Sequence, residues 1–316
     1  MIAGVDVTRA CIGIAVAIVL IAAVATWDAW AVRLHRRAPW PAMAAAFALP
    51  LTMPVAWTWP RIMATVLALT LAGKSWAVAH SGPLDPRMLG DLPRFLFWLI
   101  MPPESRAPID AAAAAAVRRR GLRRATRGLA KLLPIAALLC FEQRTPELHD
   151  NAWVESAWAL WLCWLAMSTL TDVVSGVAML TGIDVVETFD TPPLARSPRE
   201  FWAQRWNLYI AGFFARHAFV QVGGRRHPLR ATAMIFVCSG LGHEVFIVGC
   251  LGRLGSYTGW MLAFFSLHGV VVILQMIRDH RKPRPRPLPR ALAVALHFTW
   301  FLVTAPLFFR PLGEIF

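Results

Sequence analysis

Charge is what this chain has least of. Only 16% of its 316 residues are Asp, Glu, Lys or Arg, where a soluble domain carries roughly 25%. Mean hydropathy is +0.52 and 57% of residues are hydrophobic. Apolar runs recur along nearly the whole length, the pattern of a chain whose solvent is lipid. Tyrosine is also scarce, 2 residues against 15 Trp, and strand-type alternation is little seen. A membrane barrel is therefore disfavoured and helices are expected. Acidic residues are outnumbered 18 to 32 by basic ones, a net charge of +14. In a soluble protein that excess would suggest nucleic acid. Here the basic residues gather in loops between apolar runs and no aromatic-basic recognition motif accompanies them, so nucleic acid is excluded and membrane topology explains the charge. The five cysteines, Cys11, Cys140, Cys163, Cys238 and Cys250, lack metal-ligand spacing and read as small core residues. No metal site is expected.

The apolar runs predict an all-α polytopic membrane protein of about eight transmembrane helices with added interfacial amphipathic helices. They fall at 10–32, 42–59, 62–80, 153–182, 231–251, 257–277 and 290–309, with a weaker one at 128–143 that contains Pro134. The first run has no basic segment before it and is read as a retained helix, not a signal peptide. Arg33, Arg36 and Arg37, the cluster from Arg118 to Lys131, the segment 196–230 and the segment 278–290 then all fall on one side. The positive-inside rule makes that side cytoplasmic and both termini external, most simply in a bacterial cytoplasmic membrane. "AAAAAAVRRRGLRRATRGLAK" (111–131) reads as a basic amphipathic helix lying on the membrane surface, and "RKPRPRPLPR" (281–290) as a stiff polyproline-like connector. No repeat or second domain is seen, so 1–316 is taken as a single domain.

Three stretches carry chemistry. In "PPLARSPREFWAQRWNL" (192–208), Ser197, Pro198 and Glu200 form the start of a helix with a capping box. The helix that follows would place Arg205 on one face with Phe201 and Trp202, and Trp206 one turn after Trp202. By itself such a segment suits an interfacial anchor equally well. "VCSGLGHEVFIVGC" (237–250) puts His243 and Glu244 mid-span, and "WMLAFFSLHGVVVIL" (260–274) puts His268 at similar depth in the next span. Ionisable groups there are costly and usually line a cavity or pathway, although a membrane histidine can also serve helix packing. Lys74 lies deep in the third span and requires a carboxylate or cavity partner; His80 and His297 lie nearer the faces and read as structural.

These stretches resemble the wax synthase branch of the membrane-bound O-acyltransferases: Ser-x-x-[Asp/Glu]-Phe-Trp-x-x-Arg-Trp-Asn, then Ser-Gly-Leu-x-His-Glu, then Phe-Phe-x-x-His-Gly, in that order. Asn207 precedes His243 by 36 residues, as in that branch. "AGKSWAVAHSGPL" (72–84) echoes a further Lys-containing element. The motif core covers about 190–275. Ala203, Gln204 and Gly242 depart from the plant pattern (Gly, Arg and Met), which leaves substrate choice open. The resemblance implies acyl transfer from acyl-CoA to a hydrophobic alcohol, a fatty alcohol or lipophilic metabolite, with no cofactor. His243 would be general base, and Asn207 would orient it or bind the acyl oxygen. Trp202, Arg205, Trp206, Ser239, Glu244 and His268 would be substrate-binding. Ser239 is an alternative nucleophile, and Glu244 is expected to pair with Arg205 or Arg216. Arg199, Arg205, Arg225 and Arg226 are candidates for the CoA phosphates. Two other readings stay open: a transporter or channel with a His/Glu pathway, and an inactive membrane scaffold.

Overall fold

A computed structural model describes residues 7–33, 38–80, 105–106, 110–281 and 288–316. Arg36 and Arg37, the end of the 72–84 stretch and most of the proline-rich connector lie outside the described residues. In chain order the helices are α1 (Val7–Arg33), α2 (Trp40–Phe47), α3 (Thr58–His80), α4 (Ala111–Ala130), α5 (Leu132–Arg144), α6 (Ala152–Met179), α7 (Leu208–Phe213), α8 (Pro228–Leu251), α9 (Trp260–Arg281) and α10 (Arg290–Gly313). A two-residue strand at Ser105–Arg106 pairs antiparallel with Asp184–Val185. The protein is all-α and polytopic.

Six of these helices, α1, α3, α6, α8, α9 and α10, are long and apolar enough to cross a membrane. The other two of the eight expected runs, 42–59 and 128–143, form shorter helices among the described residues, for a local reason in each case. Over 42–59, Pro50 and Pro54 remove amide donors and stop α2, leaving a 3-10 turn at Leu49–Thr52. This short piece still runs antiparallel between its neighbours. Trp40 packs on Trp76 near the end of α3, at 5.9 Å between rings, while Thr52 meets Gly13 near the start of α1. Over 128–143, the helix breaks at Lys131 and α5 has 13 residues, short of the ~20 a span requires.

The basic helix α4 packs on α6. It runs antiparallel to α6, because Gly121 and Gly176 let the two backbones touch. A Cβ built on Gly121 would stand 2.6 Å from the Met179 Cβ and 2.7 Å from the Gly176 carbonyl oxygen. Three cations of this region then turn inward onto the carboxylate of Asp172, which is 3% exposed. Arg124 Nε reaches it at 3.3 Å, Arg127 Nη2 at 2.8 Å and Lys131 Nζ at 2.7 Å. Arg124 also donates to the carbonyls of Val185 and Val186, which ties the start of the following loop to the bundle. A carboxylate in an apolar helix must be paired, so Asp172 sets how α4 rotates. One face of the amphipathic helix expected at 111–131 is thus packed on α6, and most of its other residues stay exposed.

Around the functional segments, α8, α9 and α10 close on an aromatic core of Phe201, Phe236, Phe264, Phe265 and Phe301. Large apolar side chains such as Ile18, Val19, Leu170, Val270 and Leu296 stay exposed on the outer faces, as a lipid-facing surface requires. Cys250 is buried, but Cys11, Cys140 and Cys238 are exposed and Cys163 half-buried. The core placement expected of the cysteines therefore holds fully for Cys250 and in part for Cys163; the other three sit on outward faces of their helices.

Candidate active site

The segment 197–207 forms as its residues dictate, up to a point. Ser197 is the N-cap, its hydroxyl accepting from the Glu200 amide at 3.2 Å. Glu200 returns a bond, but to the amide of Arg196 at 3.1 Å. An α-helical turn lasts only through Glu200. Phe201–Arg205 is then a π-turn, closed by the Trp206 amide donating to the Phe201 carbonyl at 2.8 Å. Wider turns of this kind recur at functional sites. Its extra residue moves Trp206 off the expected Trp202 face and stacks it on Phe201, with ring centroids 5.2 Å apart. The segment ends at Asn207, which holds a left-handed conformation (φ 45°) and caps α7 through its Oδ1, 3.4 Å from the Ile210 amide. The carboxamide nitrogen has no protein partner among the described residues.

Trp202 points the other way, into the bundle. Its indole N–H donates to His268 Nδ1 at 3.1 Å, and Trp300 donates to the same nitrogen at 3.4 Å. An indole can only donate, so Nδ1 is the acceptor and the proton sits on Nε2. Nε2 then donates to Thr304 Oγ1 at 3.0 Å, and Thr304 passes its own proton to the Trp300 carbonyl. His268 is 0% exposed, with both ring nitrogens engaged by protein.

His243 is arranged differently. Its Nδ1 lies 2.8 Å from the Ser239 carbonyl. A carbonyl only accepts, so Nδ1 carries a proton, and the second nitrogen, Nε2, has no partner among the described residues. The half-buried ring lies against Phe265, 4.4 Å between centroids, and near Phe308. Gly240, one turn earlier, makes this contact possible: a Cβ there would stand 2.9 Å from the Leu262 Cα, so the glycine draws α9 in and presses Phe265 onto His243. Ser239 is half-buried, and it is its backbone carbonyl that is engaged.

Glu244 and Arg205 are not partners. Arg205 is bound to Glu200 at 2.8 Å and to the carbonyl of Asp190. Glu244 Oε1 instead accepts the Leu262 amide at 3.1 Å, satisfying a free N–H in the first turn of α9. Glu200 is partly buried, which alone would raise its pKa. Bonds from Arg205 and Arg196 outweigh that and hold it below its ordinary value. Arg199 is paired with Asp279 at 3.4 Å, while Arg225 and Arg226 are exposed. Lys74 is fully buried beside Ser75, whose hydroxyl donates to the buried Asp28 at 2.8 Å. Among the described residues no group of three or more His, Cys, Asp or Glu could hold a metal.

The structure thus joins Trp202 and His268 directly, and His243 to Trp202 through Phe265, which lies 5.5 Å from the Trp202 ring. Among the described residues no hydrogen bond joins Asn207 to His243. Sequence reasoning missed Thr304, Phe301 and Phe308; His297, read as structural, is 6% exposed. Their common signal is the i, i+4, i+7, i+11 spacing along α10, which a uniformly apolar span conceals.

No family model matches the chain. A probable long-chain-alcohol O-fatty-acyltransferase of Arabidopsis thaliana is 35% identical over 144 residues, 43% of this chain and 41% of that protein. The chain is homologous to O-acyltransferases over that stretch. An acyl-CoA–sterol O-acyltransferase of Arabidopsis thaliana is 29% identical over 45% of this chain and 43% of its own length. A long-chain-alcohol O-fatty-acyltransferase of Simmondsia chinensis is 33% identical over 41% of this chain and 39% of its own. The chain therefore spans about two fifths of the curated relatives it matches. These relatives agree with the resemblance to membrane-bound O-acyltransferases that the three motifs carry.

Proposed function

We propose that this protein is a membrane-embedded acyltransferase that moves an acyl group from acyl-CoA to the hydroxyl of a hydrophobic alcohol, releasing an ester and CoA. One observation carries the reading: His243 is held with Nδ1 protonated against the Ser239 carbonyl and Nε2 free, in a half-buried, aromatic-walled position. That is the form of a general base. Nε2 takes the hydroxyl proton as the alcohol oxygen attacks the thioester carbonyl. The carbonyl oxygen becomes an oxyanion, and the unpartnered amide N–H of Asn207 is the donor suited to it. Collapse breaks the C–S bond, and the CoA thiolate leaves with the proton from His243. No acyl-enzyme is needed, so Ser239 serves through its carbonyl. His268, with both nitrogens occupied, acts as a positioning residue that holds Trp202.

The names of the relatives support the alcohol or sterol acceptor. The exposed Arg225 and Arg226 are the cations assigned to the CoA phosphates in this reading, which takes 196–230 as cytoplasmic by the positive-inside rule. The test uses the purified chain in nanodiscs with labelled acyl-CoA and a panel of hexadecanol, a sterol and a lipophilic phenol. Wild type forms at least one ester, and His243→Ala forms none while eluting as the same monodisperse species. Retained turnover in His243→Ala removes the base; no ester from any donor and acceptor pair removes the function.

A further inference from the structure

At the end of the bundle away from the segment 196–230 opens a cavity that has no part in the proposed chemistry. Helix α8 leaves that segment at Pro228 and ends 24 residues on at Leu251, about 36 Å of helix rise away. There it meets Arg61, in the first turn of α3, which donates to the Gly249 carbonyl at 2.6 Å. The cavity holds about 160 Å³ and is walled by 51–55, by Arg61 and by Arg9 in the first turn of α1, with no acidic side chain in its walls. One water molecule needs roughly a tenth of that room. Trp59, exposed two residues before Arg61, has the position of an interfacial anchor, so the cavity sits at headgroup level.

Arg61 is the group that asks for a ligand. It is 3% exposed, and its protein partners are two carbonyls: Gly249 through Nε and Met53, at 2.8 Å, through Nη1. Nη2 has no acceptor among the described residues, and no carboxylate there pairs with this charge. A buried charge is costly unless it is paired. The guanidinium head is held in the cavity wall, because Met53 takes one of its amino groups and Val55 stands by the other. Gly252 permits this: a Cβ there would lie 2.8 Å from Nη2 and 3.1 Å from Val55 Cγ2. Arg9 brings a second guanidinium to the same cavity, at the N-terminal end of a 27-residue helix whose dipole favours anions. Two guanidiniums, one buried without a counter-charge, match the planar, multidentate recognition of a phosphate oxyanion. The rim chooses its carrier. Leu51 and Val55, both walls of the cavity, are exposed, so an anion bound here has apolar surface beside it that glycerol and acyl chains would cover. We propose that this cavity binds the phosphate of an anionic phospholipid, in the leaflet that meets the starts of α1 and α3. Acyl transfer plays no part in this site: α8 carries His243 six residues before Gly249, about 9 Å of rise deeper in the bundle.

The test equilibrates the purified full chain in detergent with a phosphatidylglycerol that carries a diazirine on its headgroup. Native mass spectrometry counts bound lipid, and peptide mapping after illumination finds the attachment. One lipid per chain is expected, attached within 7–13 or 49–61. Dioleoylglycerol, which has tails but no phosphate, should bind the unmutated protein about ten-fold more weakly or worse, a comparison that requires no variant to fold. Arg61→Gln should weaken the phospholipid about ten-fold, the worth of a hydrogen bond to a charged group. Because Arg61 also caps α8, Arg9→Gln at an exposed position supplies a second reading, a loss of about five-fold, the upper end for an exposed ion pair. Arg310→Gln, an exposed cation at the same end of the bundle, should bind as wild type does. Equal retention of the two lipids, attachment only outside those peptides, or equal effects of Arg9→Gln and Arg310→Gln would overturn the site. Inorganic phosphate that displaces the lipid at equal concentration would assign the cavity to the free anion and overturn the phospholipid.

Discussion

Asn207 does two jobs that can be separated by substitution. Its Oδ1 caps α7 at the Ile210 amide, and its backbone holds φ 45°; its carboxamide nitrogen is the proposed oxyanion donor. Asn207→Asp keeps an acceptor oxygen and a side chain that tolerates the left-handed region, but removes the donor. Asn207→Ala removes donor and cap, and with them the side-chain amide that lets this residue hold the left-handed region more readily than alanine does. The cap is worth about 1 kcal/mol and the left-handed penalty about 1–2 kcal/mol. The 3.4 Å cap bond is long, so the sum for Ala is about 2 kcal/mol. Losing an oxyanion donor costs about 100- to 1000-fold in kcat. Turnover of labelled acyl-CoA, read with thermal unfolding in the same detergent, should therefore show both variants slowed by that factor and only the alanine variant destabilised. An aspartate variant that retains more than a tenth of wild-type kcat refutes the donor and leaves Asn207 as a helix cap.

Three further outcomes follow from the packing. Asp172→Asn should lower stability by about 3 kcal/mol, the cost of stranding one buried cation, because Arg124 is 8% exposed; thermal unfolding measures it, and a shift under about 1 kcal/mol would mean that Arg124 repacks freely. Gly121→Ala should destabilise by about 1–3 kcal/mol through overpacking, since its Cβ would sit 2.6 Å from that of Met179; cross-linking between α4 and α6 should weaken with it. Glu200 ionises more readily folded than unfolded, so its contribution is present above its ordinary pKa of 4.5 and disappears as pH falls through the depressed folded value. Melting temperature followed through acid should therefore fall less steeply in Glu200→Gln than in wild type, and parallel curves would contradict the ion pair.

Composition alone determined that this is an all-α membrane protein, because too few charges remain to solvate a surface of this size. Local chemistry also settled the start of the 197–207 segment, since a cap and a first-turn proline act within one turn. Motif order placed His243 and His268 at depth. What followed could be decided only by the assembled molecule. Whether Phe201–Arg205 continues as α or widens to π depends on what its rings pack against, and Trp206 found Phe201 instead of Trp202. Helix α4 reads as amphipathic in the sequence, but that Asp172, some forty residues on, offers its cations a buried partner is seen only in the folded chain. The two mid-span histidines look alike in the sequence. Their different chemistry comes from neighbours on other helices: two indoles and a hydroxyl saturate His268, while His243 keeps one nitrogen free. Hydropathy is a property of a segment, whereas protonation and pairing belong to contacts between segments, and only folding makes those.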